Sequence, residues 1–326
     1  MNYYSTFVFL APNIARIFLP AILFATSYAN LCAGGGWPQP KNDLFAKLYY
    51  FSSSAPSYYE AGGSELIEFK EYDSVHRRDR RYAMDFSSAG VGLYAEYGLT
   101  DKLTLSLDFP FSSFGLKETY SIDDVHFDYE TKREFSLVQY NWIGLGARWQ
   151  ILEIEHFTAS LVGEIRIPPG FSSPDTGRAD YPFLSDGSFQ AIGGAEIGYS
   201  FANGWIEAEA RYNRRGDDFK NEALLHIEGG FSNIPKTYLK IFADAAVSTD
   251  NFNGVRPFNP VQSQLQETAY NFGGSFMAFI SDGWFFEASY SIRVHGFNTW
   301  NMKMLSIGGG IKIPARHSGA GNEKIR

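Results

Sequence analysis

The sequence predicts an all-β chain: a single transmembrane antiparallel up-and-down β-barrel of about twelve strands, with short periplasmic turns and long extracellular loops. Three observations lead there. Apolar and polar residues alternate with period two along one segment after another. Many of the segments run to roughly 10–15 residues, beyond the 5–6 typical of soluble sheets and enough to cross a bilayer at a tilt. The connections alternate in length, short at one end and mostly long at the other, which a soluble sandwich would not require.

Taken in order, the chain of 326 residues begins with Arg16 ahead of an apolar run, Ile17–Ala25, followed by small residues at Ser27 and Ala29. This is the layout of a secretory signal. Residues 1–33 are expected to be a signal peptide, with cleavage near 29–33. Pro20 and the shortness of the run argue against a spanning helix. Cys32 is the only cysteine, so neither an intrachain disulfide nor a cysteine metal site is available. Residues 34–313 are then the barrel, and 314–326 a polar tail on the periplasmic side.

Strands are expected at Leu44–Ser52, Asp85–Gly98, Lys102–Phe111, Glu134–Gln150, His156–Pro168, Ser188–Phe201, Trp205–Asn213, Lys220–Phe231, Thr237–Val247, Thr268–Ile280, Trp284–His295 and Met302–Ile313. Only Leu99–Asp101 separates the second from the third. Ala202-Asn203-Gly204 joins the sixth to the seventh, and Ser281-Asp282-Gly283 the tenth to the eleventh. Asn-Gly and Asp-Gly tolerate the positive φ that tight hairpins need. The intervening connections include Ser53–Met84, Ser112–Arg133, Pro169–Gly187 and Ser248–Glu267.

The two faces follow from parity. Leu103, Leu105 and Leu107 oppose Thr104, Ser106 and Asp108; Ile206, Ala208 and Ala210 oppose Glu207, Glu209 and Arg211. A basic side chain against lipid costs about 2–4 kcal/mol at the midplane, so the charged face is interior and the leucines meet hydrocarbon. This places Glu96, Asp108, Arg148, Glu164 and Arg166 on the lumen wall. Further along, it places Glu207, Glu209, Arg211, Glu228, Lys240, Asp244, Glu287 and Arg293 there too. Glu196, Glu222, His226 and His295 share that parity. Such a lining serves either as a solute path or as a salt-bridge network that fills a narrow barrel. Glycine pairs on the same face, Gly144 and Gly146 among them, leave room for a solute or for bulky neighbours such as Tyr94 and Trp142. Tyr97, Trp149, Tyr199, Phe201, Trp205, Phe279 and Trp284 flank the short turns and are expected to form a girdle at the headgroup level.

Arg77, Arg78, Arg80 and Arg81 fall in the first long loop, where they could pair with lipopolysaccharide phosphates. A formal net charge of -8 argues against a nucleic-acid partner. Neither an H-E-x-x-H, a Walker loop nor a G-x-S-x-G occurs, so no catalytic residue, cofactor or metal site is expected, and the chain does not read as an enzyme.

Two stretches carry a family resemblance: Gly34-Gly-Gly-Trp-Pro-Gln-Pro40 and Tyr97-Gly-Leu-Thr-Asp-Lys-Leu103. With the barrel pattern they resemble a broad family of bacterial outer-membrane barrels of transporter type, named for the meta-pathway of phenol degradation. Long-chain fatty-acid transporter barrels are a more distant comparison. The resemblance implies a barrel of about twelve strands in the outer membrane of a Gram-negative bacterium. It further implies passage of small molecules, hydrophobic or aromatic ones among them. The expected function is a channel or transporter, in contact with outer-membrane lipid, lipopolysaccharide and a small solute. The alternatives are a plugged structural or surface-binding barrel and, third, a membrane-embedded hydrolase. One departure is the continuation past Ile313 into a polar tail, where many such barrels end on an aromatic residue.

Overall fold

A computed structural model describes residues 37–59, 63–66, 68–73, 78–124, 127–168, 189–216, 220–232, 234–249, 268–297 and 299–315. The expected signal segment, Arg77 and residues 316–326 lie outside them. The chain begins with β1 (Leu44–Ala55) and three short strands, β2 (Tyr58–Tyr59), β3 (Glu65–Leu66) and β4 (Glu68–Asp73). The longest strands follow: β5 (Arg78–Thr100), β6 (Leu103–Asp124) and β7 (Phe127–Tyr140). Then come β8 (Ile143–Ile154), β9 (Phe157–Ile167), β10 (Gln190–Phe201), β11 (Gly204–Arg215), β12 (Glu222–Phe231) and β13 (Thr237–Ser248). β14 (Thr268–Phe279), β15 (Trp284–Phe297), β16 (Thr299–Trp300) and β17 (Lys303–Ile313) complete the chain.

These strands close a twelve-position antiparallel barrel, with no helix among the described residues. Closure runs through β1, which pairs with β17 (Leu44↔Ile313) on one side and β5 (Leu44↔Tyr97) on the other. A closed wall leaves no sheet edge exposed to hydrocarbon, the condition for strands to span a membrane.

The residues expected to meet lipid do face outward. Ile206 is 45% exposed and Ile227 53%, and neither has a place in a dry centre. Leu105 is likewise exposed, while Leu103 and Leu107 are half-buried between neighbours on the same face.

The structure differs from the expected layout in four places, the first being the connection expected over Ser53–Met84, which holds β2, β3, β4 and the first seven residues of β5, Arg78, Arg80 and Arg81 among them. A single strand over Glu134–Gln150 is instead broken at Asn141–Trp142, giving β7 and β8, both paired to β6. The cause is Pro110 on β6, which has no N–H to continue the ladder. Asn141 caps the gap: its N–H donates to Pro110 O (2.8 Å), and its Oδ1 accepts the Ser112 hydroxyl (2.7 Å). The long loop expected over Ser112–Arg133 is mostly strand, a paired β6–β7 extension that reaches the pair Asp124↔Phe127. At 22 residues, β6 is about twice what a tilted strand needs to cross hydrocarbon. In its outer half the apolar residues, Phe114, Leu116, Tyr120 and Ile122, stand on the parity of Thr104 and Asp108 instead of that of the lipid-facing leucines, so it does not extend the spanning pattern and reads as loop. Finally, a bulge in β15 pairs Arg293 with Asn271 but His295 with Tyr270. His295 thereby leaves the lumen face for that of Tyr270 and Phe272, where its ring stacks on Tyr270.

At the long-loop end, β16, β2 and β3 form a small sheet. Trp300 is buried there against Phe86 and Tyr58, and Arg293 reaches across to the Trp300 carbonyl (3.1 Å) and the Thr299 hydroxyl. Glu65 accepts hydrogen bonds from the Ser57 hydroxyl (2.5 Å) and the Asn301 amide (2.6 Å), which hold its carboxyl below the usual carboxylate range. A depressed carboxyl contributes stability above its unfolded pKa and loses it as pH falls through the folded value. Acidification across that window, or Glu65→Ala at neutral pH, is therefore expected to lower amide protection in this small sheet, measured against intrinsic exchange at the same pH, and leave the wall protected. Equal loss of protection in both would refute the assignment.

Candidate functional site: the lumen

Side chains divide the lumen into a filled half and an open half. On the β11–β15 side, Trp205 is only 6% exposed, lies over Gly230 and donates its indole N–H to Glu228 (2.7 Å). Tyr238 and Phe279 continue an aromatic floor to Phe285, which stacks on Phe45 at 4.8 Å between ring centroids. This corrects the girdle expectation for Trp205 and Phe279, which are lumen residues. Tyr97, Trp149, Tyr199 and Trp284 do lie exposed on the outer face beside the short turns. The reason is parity: Trp205 shares a face with Glu207 and Glu209, and small partners, Gly230 and Gly310, leave space for Trp205 and Phe285.

Ion pairs knit the middle of the filled half. Lys240 meets Glu228 at 2.9 Å, and His226 lies between Asp244 (2.6 Å) and Glu228 (3.3 Å). Arg215 meets Glu222 at 2.6 Å, and Arg293 donates to Asn271 (3.0 Å). Lys47 bridges from β1 to Glu287 at 2.6 Å.

The open half is a chamber of about 350 Å³ bounded by β1, β5, β6, β8 and β9. It exists because Gly144 and Gly146 on β8 place no side chain into it. Toward the short-turn end Arg148 closes it, shared between Glu96 (3.2 Å) and Glu196 (2.9 Å), while the Tyr94 hydroxyl donates to Glu96 (2.6 Å). Toward the long-loop end lie Arg166, on Glu164 at 2.7 Å, and Arg211, which grips Glu209 and reaches Glu164 at 3.6 Å. The Arg166 guanidinium also covers the Trp142 ring at 4.8 Å. Asp108 accepts from two aromatic donors, the Tyr49 hydroxyl (3.2 Å) and the Trp142 indole N–H (3.0 Å). Buried charges are tolerable only when paired and hydrogen-bonded; Lys47, Arg148, Arg166 and Arg211 each have a carboxylate partner, while Asp108 is held by neutral donors.

Glu196, Glu207 and Glu209 bring one carboxylate oxygen each within 4.8 Å of one another. Arg148 and Arg211 already lie against two of the three, so local countercharge comes from guanidinium groups.

A strap formed by the first described residues enters the lumen from the short-turn end. The Gln39 backbone N–H donates to Thr104 Oγ1 (2.7 Å) and its side-chain amide to Glu96 Oε2 (2.7 Å). The Trp37 ring lies against Gly198 and Thr158, both on the lumen face. Asn42 and Asp43 pair with the Gly98 backbone, and the Asp43 carboxylate receives the Ala315 N–H (2.8 Å). Trp37 and Gln39 belong to the stretch on which the family resemblance rests.

Of the seventeen ionisable positions given lumen parity by the sequence, the pairing register keeps sixteen on that face and moves His295 off it; the structure joins most of the sixteen in pairs, and Glu207 is buried beside Glu196 and Glu209. Lys47, Tyr49 and Gln39 were not among the assigned positions. From Leu44 to Phe51 both faces of β1 are apolar or aromatic except at Lys47, and three serines follow, so alternation there is nearly silent. Arg78, Arg80 and Arg81 fall on the outer half of β5, and Arg77 lies outside the described residues.

No protein-family model and no curated protein matches the sequence. Among solved structures, an outer membrane channel of Pseudomonas putida F1 aligns at TM-score 0.62 and 15% identity, over 87% of this chain and 100% of that one. The toluene transporter TodX of P. putida aligns at TM-score 0.38 and 9% identity, covering 86% of this chain and 91% of its own. A monoaromatic hydrocarbon channel, CymD, aligns at 0.39 and 7%, covering 86% and 90%. The last two superpose too loosely to bear on this chain. The first shows the fold: this chain shares the closed antiparallel barrel architecture of that protein.

Proposed function

We propose that this chain is a channel or transporter for small molecules in the outer membrane of a Gram-negative bacterium, acting without covalent chemistry. The observation that carries the reading is the chamber of about 350 Å³, enclosed by a wall that is apolar outside and hydrogen-bonded inside. Aromatic surfaces lie at both ends of the lumen, Trp300 and Phe86 above, Phe45 and Phe285 below. They support a solute with a hydrophobic or aromatic part, as the resemblance to the phenol-pathway barrels implies. The architecture shared with the P. putida channel supports the same reading. On this reading residues 1–33 are removed on export, residues 314–326 remain periplasmic, and Arg77, Arg78, Arg80 and Arg81 are available to lipopolysaccharide phosphates.

A second reading, a plugged barrel that is structural or binds at its loops, is favoured by the Trp37–Asp43 strap and the aromatic floor. Planar-bilayer recording of refolded 34–326 separates the two. Channel openings are expected, more frequent in the Gln39→Ala, Thr104→Val double variant, which loses the two hydrogen bonds holding Gln39 in the lumen and keeps those of Asn42 and Asp43. Silence of both proteins at every voltage would leave the plugged barrel.

A further inference from the structure

We infer that the chamber is a binding site for a small organic cation, with its ammonium group on Asp108 and its body over Gly144 and Gly146. This rests on the channel reading and names the solute class.

The argument is one of charge and committed partners. Four cations line the chamber, and each is engaged by acids: Lys47 by Glu287, Arg148 by Glu96 and Glu196, Arg166 by Glu164, Arg211 by Glu209 and Glu164. That is five carboxylates for four bases before Asp108 is counted. Asp108 differs from the other lining acids: among the described residues no basic group lies within ion-pairing distance, and its bonds come from neutral donors, Tyr49 and Trp142. The neighbouring Arg166 is turned away by a two-point grip on Glu164 (2.7 and 3.3 Å) and by its stacking on Trp142.

The surroundings suit a cation for a second reason. The Lys47 ammonium already lies 5.5 Å from the Tyr49 ring centroid and 6.0 Å from that of Tyr94, so these rings present their faces to positive charge. An anion placed in the chamber would have to draw an arginine off its carboxylate, leaving a buried acid unpaired. A hydrocarbon would leave Asp108 facing an apolar group. An ammonium on a compact body satisfies Asp108, and the missing side chains at Gly144 and Gly146 provide the space beside it.

The test uses three probes of nearly equal shape that differ in head-group charge: benzylammonium, benzyl alcohol and benzoate. Binding to refolded 34–326 in detergent is measured by calorimetry at neutral pH. Benzylammonium is expected to bind more tightly than the other two. Asp108→Asn, which keeps one acceptor oxygen for the Trp142 indole N–H and offers its amide N–H to the Tyr49 hydroxyl oxygen, is expected to weaken it about tenfold or more, the scale of a lost hydrogen bond to a charged group. Asp282→Asn, on an exposed turn remote from the lumen, is expected to bind as the parent does. Gly144→Val narrows the chamber and is expected to weaken all three probes; far-UV circular dichroism reports whether each variant folds. Benzoate binding as tightly as benzylammonium, or unchanged affinity in folded Asp108→Asn, would overturn the assignment. Cation binding without bilayer conductance would uphold the site and remove the channel; conductance without cation binding would do the reverse.

Discussion

Arg148→Leu is expected to destabilise the barrel by about 3–5 kcal/mol, the range for removing one partner of a buried ion pair. Arg148 is the single base between Glu96 and Glu196, at 3.2 and 2.9 Å. The Glu196 side chain has no solvent exposure, so no water replaces the lost guanidinium. Glu96 retains Tyr94 and Gln39 as donors, so the penalty falls mainly on Glu196. Arg148→Lys should recover part of the loss and no more, because a point charge cannot reproduce a planar fork shared by two carboxylates. Adding Glu196→Gln to Arg148→Leu should return stability toward the parent, since the stranded charge is gone. Reversible urea unfolding in lipid vesicles reads all three variants. A loss under about 1 kcal/mol for Arg148→Leu would mean that the network is hydrated rather than buried.

The same network illustrates what a sequence exposes in a barrel. Where one face is charged and the other apolar, as from Trp205 to Asn213, parity alone places every side chain, and lumen residues from Glu207 to Arg211 are legible at once. Trp205 carried the same information, since it stands two residues before Glu207. A preference for aromatics at interfaces obscured it, because Trp205 is both lumen-facing and next to a turn. From Leu44 to Phe51 both faces of β1 are apolar or aromatic except at Lys47, which alone marks the inner side, and its role emerges only from its bridge to Glu287 across the closure of the wall. Such a long-range pair leaves no trace in local period.

The misjudged elements have the same kind of cause. Pro110 interrupts a ladder, and a missing N–H is felt on the partner strand, where Asn141 and Trp142 depart from the wall. That departure brings the Trp142 indole to Asp108 and helps build the chamber, a consequence no one-dimensional pattern records. In the outer half of β6 the apolar residues pass from odd to even positions, so the run does not continue the lipid-facing pattern of Leu103–Phe111 and resembles a loop. The bulge that moves His295 adds one residue and inverts parity beyond it, which reading by alternation carries forward uncorrected.

Ile227→Arg is expected to cost about 2–4 kcal/mol, the penalty for a basic side chain on the lipid face near the midplane. Ile227 stands near the middle of β12, is 53% exposed, and is flanked on adjoining strands by Ala208 and Ala243. Two small neighbours give an arginine no groove to follow, so its charge meets hydrocarbon or thins the bilayer around it. Leu239→Arg supplies the control: equally outward on β13, but two residues from the turn after β12, it should cost about 0–1 kcal/mol because the head group is within reach. The contrast between the pair isolates depth from the chemistry of the substitution. If both variants unfold at the parent's urea concentration in vesicles, this face does not meet lipid. A water-soluble, detergent-free Ile227→Arg protein would point the same way, and the wall would then have to be explained as the surface of a soluble barrel.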